Sequence, residues 1–91
     1  MSYTIKVSDK AIDDSEKLEK DEPKAYKKFL TFLDELKEHP RTGTGHPEQL
    51  SGDRAGQWSR RLSKKHRMVY EIHDTEIVVL VLAAYGHYDD K

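Results

Sequence analysis

The nine residues from Ile77 to Tyr85 carry no charge and, apart from one phenol, no polar side chain. The run has the length of a strand and falls well short of the ~18 apolar residues that a membrane-spanning helix needs. Extended over Thr75 to Ala84 it is apolar on both faces, the pattern of a central strand. A chain with such a strand must build a sheet around it and cover that sheet with something apolar.

The preceding segments supply both. Arg67 to His73 alternates, with Met68, Tyr70 and Ile72 on one face and Arg67, Val69 and Glu71 on the other. The turn His73-Asp74-Thr75 makes it a hairpin with the last strand. Gln57 to Ser63 sets Trp58, Arg60 and Leu62 against Ser59 and Arg61, and the stem of Arg60 is expected to cover the core edge. Tyr3, Ile5 and Val7 alternate with Thr4 and Lys6, a half-buried strand. Ser8 offers an N-cap for a helix through about Lys20, whose thin apolar face (Ala11, Ile12, Leu18) predicts a surface position. Asp21-Glu22-Pro23 breaks and restarts the chain. A second helix to about Glu38 places Tyr26, Phe29, Leu30, Leu33 and Leu36 on a stripe that should pack on the sheet. Arg41 to Gly56 reads as a glycine-rich loop without regular structure, a length that is often functional. The order β-α-α-β-β-β predicts one α+β domain over residues 1–91, an antiparallel-rich sheet with two N-terminal helices packed on one face. The other face is left free, and Arg61 and Arg67 both point to it.

Composition narrows the chemistry. The 91 residues are 35% apolar and 36% charged and contain no cysteine, which excludes disulfides and thiolate metal sites. The N-terminus lacks the basic stretch and long apolar run of a secretory signal, so the chain reads as cytoplasmic, with no membrane partner. The net charge of −1 hides an uneven distribution. Between Arg54 and Tyr70 stand Arg54, Arg60, Arg61, Lys64, Lys65, His66 and Arg67 with no acid among them. Such a stripe suits a polyanion, and it equally suits a solvated hairpin.

For a polyanion such as RNA, strand cleavage without a metal needs a base for the ribose 2′-hydroxyl, a cation for the phosphate, and an acid for the leaving 5′-oxygen. Glu48 in the glycine-rich loop, Arg61 and Arg67 on neighbouring strands, and His87 and Tyr88 near the C-terminus are groups of the right kind. By spacing alone they do not separate a catalytic site from the charged residues of any small α+β domain.

The ordered set Gly43-Thr44-Gly45-His46-Pro47-Glu48-Gln49-Leu50, Gly56-Gln57-Trp58-Ser59-Arg60-Arg61-Leu62, His66-Arg67-Met68-Val69-Tyr70 and Gly86-His87-Tyr88 resembles the YoeB/Txe group of RelE-superfamily toxins. The resemblance implies a RelE-like fold and the toxin of a type II toxin–antitoxin pair, a ribosome-dependent, metal-independent mRNA endoribonuclease with no cofactor. It implies Glu48 as general base, Arg67 on the transition-state phosphate, His87 as general acid and Tyr88 as the aromatic that orients the RNA. Arg61 matches a phosphate contact, and Arg54, Lys64, Lys65 and His66 are expected to join it on the RNA. The implied partners are the ribosomal A site with its mRNA and a YefM/Phd-type antitoxin, through which operator DNA is contacted; a homodimer is compatible with the pattern. A RelE-fold protein without nuclease activity, poisoning another target as ParE toxins do or serving only to bind antitoxin, is the alternative. The pattern departs at His46 and Ser51, where the group commonly carries lysine, and in Asp89-Asp90-Lys91 beyond the terminal tyrosine.

Overall fold

The computed structural model describes residues 2–86. Ser8 makes the first corner. It follows strand β1 (Thr4–Val7), and its Oγ accepts the Ala11 N–H at 3.1 Å to cap helix α1 (Asp9–Asp21). Its own N–H reaches the Val81 carbonyl at 2.9 Å and its hydroxyl the Leu82 carbonyl at 3.0 Å. One residue therefore ends a strand, starts a helix and ties both to the last strand. Helix α2 (Pro23–Leu36) begins on Pro23, which is harmless in a first turn because its missing N–H has no helical acceptor there.

Strands β2 (Glu48–Gln49), β3 (Gln57–Arg61), β4 (Arg67–His73) and β5 (Val78–Ala83) complete a five-stranded sheet in the order β1-β5-β4-β3-β2. The expected α+β architecture holds, and the last strand does lie inside the sheet. Strand β1 pairs parallel with β5 and the other neighbours are antiparallel, so the sheet is mixed. The stretch expected to be structureless contains β2 and a 3-10 turn at Gly52–Arg54. Among the described residues no helix is long and apolar enough to cross a membrane.

The core lies between the helices and one sheet face, where Phe29, Phe32, Leu36, Met68, Tyr70, Val79 and Val81 meet. Trp58 packs against this cluster, as an anchor should. Most of the expected helix faces hold, with Ala11, Leu18, Phe29 and Leu36 buried and Tyr26 and Leu33 packed against the core, but one residue of each is misplaced. In α2 the buried positions are Ala25, Phe29, Phe32 and Leu36, while Leu30 is 46% exposed. Helix α1 is no surface appendage: Ala11 and Leu18 are fully buried, whereas Ile12 is 45% exposed.

The far corner is fastened by Asp74, whose carboxylate accepts the Tyr3 hydroxyl at 2.6 Å and the Arg41 guanidinium at 2.7 Å. Those two bonds, Tyr3 first, hold its carboxyl below the usual carboxylate range. The N-terminal strand, the start of the long loop and the β4–β5 turn are thereby joined at one side chain.

Candidate active site

Strand register decides which side chains share a face. In an antiparallel pair, residues directly opposite each other project to the same side. Glu48 lies opposite Ser59, and Ser59 opposite Val69, so these three form one row across β2, β3 and β4. Arg61 lies opposite Arg67, two residues farther along, in a parallel row about 7 Å away on the same side. This is the face away from the helices. The sheet thus brings Glu48, Arg61 and Arg67 from three strands onto one surface.

A cleft of about 320 Å³ opens on this face, lined by Arg54, Arg67, Val69, Leu82, Tyr85 and Lys10 among others. Its lining combines the cations Lys10, Arg54 and Arg67 with the aliphatic Val69 and Leu82. Arg54 donates to the Gln57 Oε1 at 3.1 Å. Neither Glu48, Arg54 nor Arg67 is without a partner. Lys64 and Lys65 are exposed on the β3–β4 turn, whose backbone N–H groups at Lys65 and His66 are capped by the Ser63 hydroxyl at 3.2 Å each. Among the described residues no cluster of three His, Cys, Asp or Glu could hold a metal.

His66 departs from its expected role. It is 6% exposed, its Nδ1 accepts the Gly86 N–H at 2.7 Å, and its Nε2 stands 3.2 Å from the Glu22 carboxylate. With both ring nitrogens engaged inside the protein it has no surface to offer RNA. His87 and Tyr88 lie outside the described residues; they follow Gly86, which lines the cleft.

The loop that leads to Glu48 is held from beneath by Arg60. The expectation for this residue was an apolar stem at the core edge, but the whole side chain is buried, guanidinium included. Nη1 meets Glu35 Oε1 at 2.6 Å and the Thr44 carbonyl at 3.3 Å; Nη2 meets the carbonyls of His39 and Thr42 at 2.6 and 2.8 Å. Nε donates to the Tyr70 hydroxyl at 3.2 Å, which donates in turn to the Pro40 carbonyl at 2.8 Å. Burial pushes the Tyr70 phenol up, so it stays a neutral donor. The planar fork of five donors is what allows one side chain to collect so many carbonyls.

Glu35 closes the arrangement from the other side, taking the Thr44 hydroxyl at 2.7 Å and the Thr44 N–H at 3.2 Å. The loop presses so closely here that a Cβ on Gly45, whose φ is +81°, would stand 2.5 Å from the Phe32 ring. Beyond it the Gly45 carbonyl accepts the Arg61 N–H at 2.7 Å, which starts the pairing that places β2.

Burial pushes the Glu35 carboxyl up, but the Thr44 hydroxyl, Arg60 and the Thr44 N–H outweigh it, and the net effect holds it below the ordinary carboxylate value. Stability from this group is therefore complete above that ordinary value and is lost as pH falls through the lowered one. In urea titrations the unfolding midpoint should drop on acidification below about pH 4. The drop should be shallower in Glu35→Gln, which has no charge to lose; equal slopes would show that Glu35 does not carry the effect.

Sequence reasoning missed Lys10, Glu35, Thr44 and the buried head of Arg60. The signal for Arg60 was available: an arginine between Trp58 and Leu62 on the inward phase of a strand requires an acid, and Glu35 follows Phe32 by three on α2. Lys10 carried no such signal, because its place on the cleft depends on how α1 crosses β5.

Comparison with known proteins matches the fold and the family. A family model described as "YoeB-like toxin of bacterial type II toxin-antitoxin system" matches residues 7–88. Toxin YoeB of Escherichia coli K12 is 31% identical over 81 residues, covering 89% of this chain and 94% of that protein. The solved YoeB/ParE toxin from Agrobacterium tumefaciens superimposes with a TM-score of 0.84 at 30% identity, over 93% of this chain and 99% of that one. Staphylococcus aureus YoeB in its complex with YefM gives 0.77 at 27% identity, over 97% and 100%. With a helix-backed sheet of this order and a family match that runs nearly its whole length, the chain belongs to the YoeB-like toxins of bacterial type II toxin–antitoxin systems.

Proposed function

We propose that this toxin is a ribosome-dependent mRNA endoribonuclease that works through its own side chains. The observation that carries the reading is the register that sets Glu48 on the same sheet face as Arg61 and Arg67, a face that also carries a cleft lined by Arg54 and Arg67. Glu48 takes the proton of the ribose 2′-hydroxyl. The O2′–phosphorus bond forms, the phosphorus–O5′ bond breaks, and His87 gives its proton to O5′. The products are a 2′,3′-cyclic phosphate and a 5′-hydroxyl. Arg67 and Arg61 offset the charge that grows on the phosphate in between. Tyr88 orients the RNA, and Arg54, Lys64 and Lys65 hold its backbone on either side. His66 leaves that set because it is buried. The ribosomal A site supplies the remaining positioning, so free RNA is cut poorly. The toxin acts in the cytoplasm and is held in check by a YefM-type antitoxin, which masks the cationic face and brings the pair to operator DNA.

The test is to add purified toxin to ribosomes programmed with a defined mRNA and to map new 5′ ends. New ends bearing 5′-hydroxyls within the A-site codon are expected, and His87→Ala should abolish them. Growth arrest on induction without new mRNA ends would overturn the nuclease reading in favour of another poisoned target. No arrest at all, with tight antitoxin binding, would reduce the protein to an antitoxin-binding scaffold.

A further inference from the structure

Past the end of β5 the chain leaves the sheet, and three successive residues are then each gripped by a different group. The Ala84 N–H donates to Asp14, a 4%-exposed carboxylate, at 2.9 Å. The Tyr85 hydroxyl bonds to Asp21, and its ring lies beneath the Lys17 ammonium, 5.5 Å from the centroid. Asp14, Lys17 and Asp21 recur at three and four on α1, so they form one ridge of that helix. At the third residue the grip passes to His66. Its ring packs on the Tyr85 ring with centroids 4.2 Å apart, and its Nδ1 accepts the Gly86 N–H at 2.7 Å. The Gly86 carbonyl accepts the Arg67 N–H at 3.1 Å, so both backbone groups of Gly86 are taken by consecutive residues at the start of β4.

The chemistry of the ring is fixed by this arrangement. A backbone N–H can only donate, so Nδ1 must be the unprotonated nitrogen and the ring proton sits on Nε2, facing Glu22 Oε2 at 3.2 Å. Glu22 lies at the junction of α1 and α2, so the imidazole is oriented from the helical layer and spends its lone pair on the Gly86 N–H.

We propose that His66 is a positioning residue: it sets the point and direction from which the chain enters His87 and Tyr88, and so aims the general acid without touching RNA. The proposal rests on the nuclease reading given above. It also accounts for a buried histidine beside the site that the reaction itself does not use. Displacing a reacting group by about 1 Å is enough to lower a rate by roughly a hundredfold.

Two substitutions separate the acceptor from the ring. His66→Asn places Oδ1 where Nδ1 stands and keeps the bond to Gly86. His66→Phe keeps the ring against Tyr85 and removes the acceptor. In the programmed-ribosome assay, corrected for folded fraction by urea titration, His66→Phe should lower kcat about a hundredfold with KM within about threefold. His66→Asn should recover at least tenfold of that loss. In the toxin alone, the Gly86 amide should exchange with solvent at least tenfold faster in His66→Phe and not in His66→Asn. If wild type cuts mRNA and His66→Phe cuts equally well, or if both variants lose kcat alike, His66 is not positioning the acid. An unchanged Gly86 exchange rate in His66→Phe overturns the proposal without any nuclease assay. A wild-type toxin that cuts nothing, with Gly86 exchange responding as expected, overturns the nuclease reading instead.

Discussion

Arg60→Ala is expected to cost about 3–5 kcal/mol, because it empties the space of a fully buried side chain, leaves three loop carbonyls without their donor and takes the guanidinium from the half-buried Glu35. A domain of this size has a total stability of roughly 5–14 kcal/mol. The urea midpoint should therefore fall by about 1.5–5 M, at roughly 1–2 kcal/mol per molar urea for so short a chain. The loss has identifiable parts. Glu35 keeps its charge without its guanidinium, Tyr70 keeps a buried hydroxyl, and the carbonyls of His39, Thr42 and Thr44 lose their donor. Arg60→Lys should recover only part of it, since an ammonium cannot present a planar fork to this many acceptors. The neighbouring residue is the control: Arg61 is exposed, and Arg61→Ala should leave stability within about 0.5 kcal/mol. A midpoint for Arg60→Ala within 0.5 M of wild type would show that the guanidinium does not hold the loop.

Glu48→Gln is expected to lower the single-turnover cleavage rate on programmed ribosomes by about 10²- to 10⁴-fold, the usual contribution of a general base. The amide has the shape of the carboxylate and cannot take the 2′-hydroxyl proton. Glu48 is exposed on a two-residue edge strand and glutamine keeps its size, so stability should change by no more than about 1 kcal/mol, far less than the effect on cleavage. Ribosome binding should also be preserved, which separates this variant from Arg61→Ala, whose effect falls on affinity for the RNA backbone. Cleavage by Glu48→Gln within about threefold of wild type would remove Glu48 from the mechanism.

Much of this site was legible in the sequence because it depends on a period of two. Once β3 and β4 were recognised, the outward phase of Arg61 and Arg67 followed from Trp58, Leu62, Met68 and Tyr70 facing in. Strand β1 was legible as a strand, but nothing in the alternation of Tyr3, Ile5 and Val7 names its neighbour or its direction. Strand β2 was invisible, since two residues have no period. The loop that leads into it is held by Arg60 and Glu35, 25 residues apart in sequence, a contact that no local pattern announces. The stripe of α2 was legible except at its edge: Tyr26, Phe29, Leu33 and Leu36 do meet the core, but Ala25 and Phe32 were not weighed, and the centre of the buried face lies toward them and leaves Leu30 outside. His66 was read as basic because it sits beside Lys64 and Lys65. Its burial is decided by Tyr85 and Glu22, which reach it from distant parts of the chain.

The place of β5 between β1 and β4 has a consequence for how the protein comes into being. During synthesis the first strand, both helices and the β2–β4 meander all emerge before the strand that joins them. Until Val78–Ala83 is out of the ribosome, β1 has no partner, and α2 is joined to the β3–β4 hairpin through Arg60 and Glu35 without the central strand between the sheet's two parts. Contacts of such long sequence separation carry a loop-closure cost that must be met before they stabilise anything, so completion of the sheet is the slow part of folding. A chain cut short before β5 would then be an unfolded chain rather than a weaker toxin.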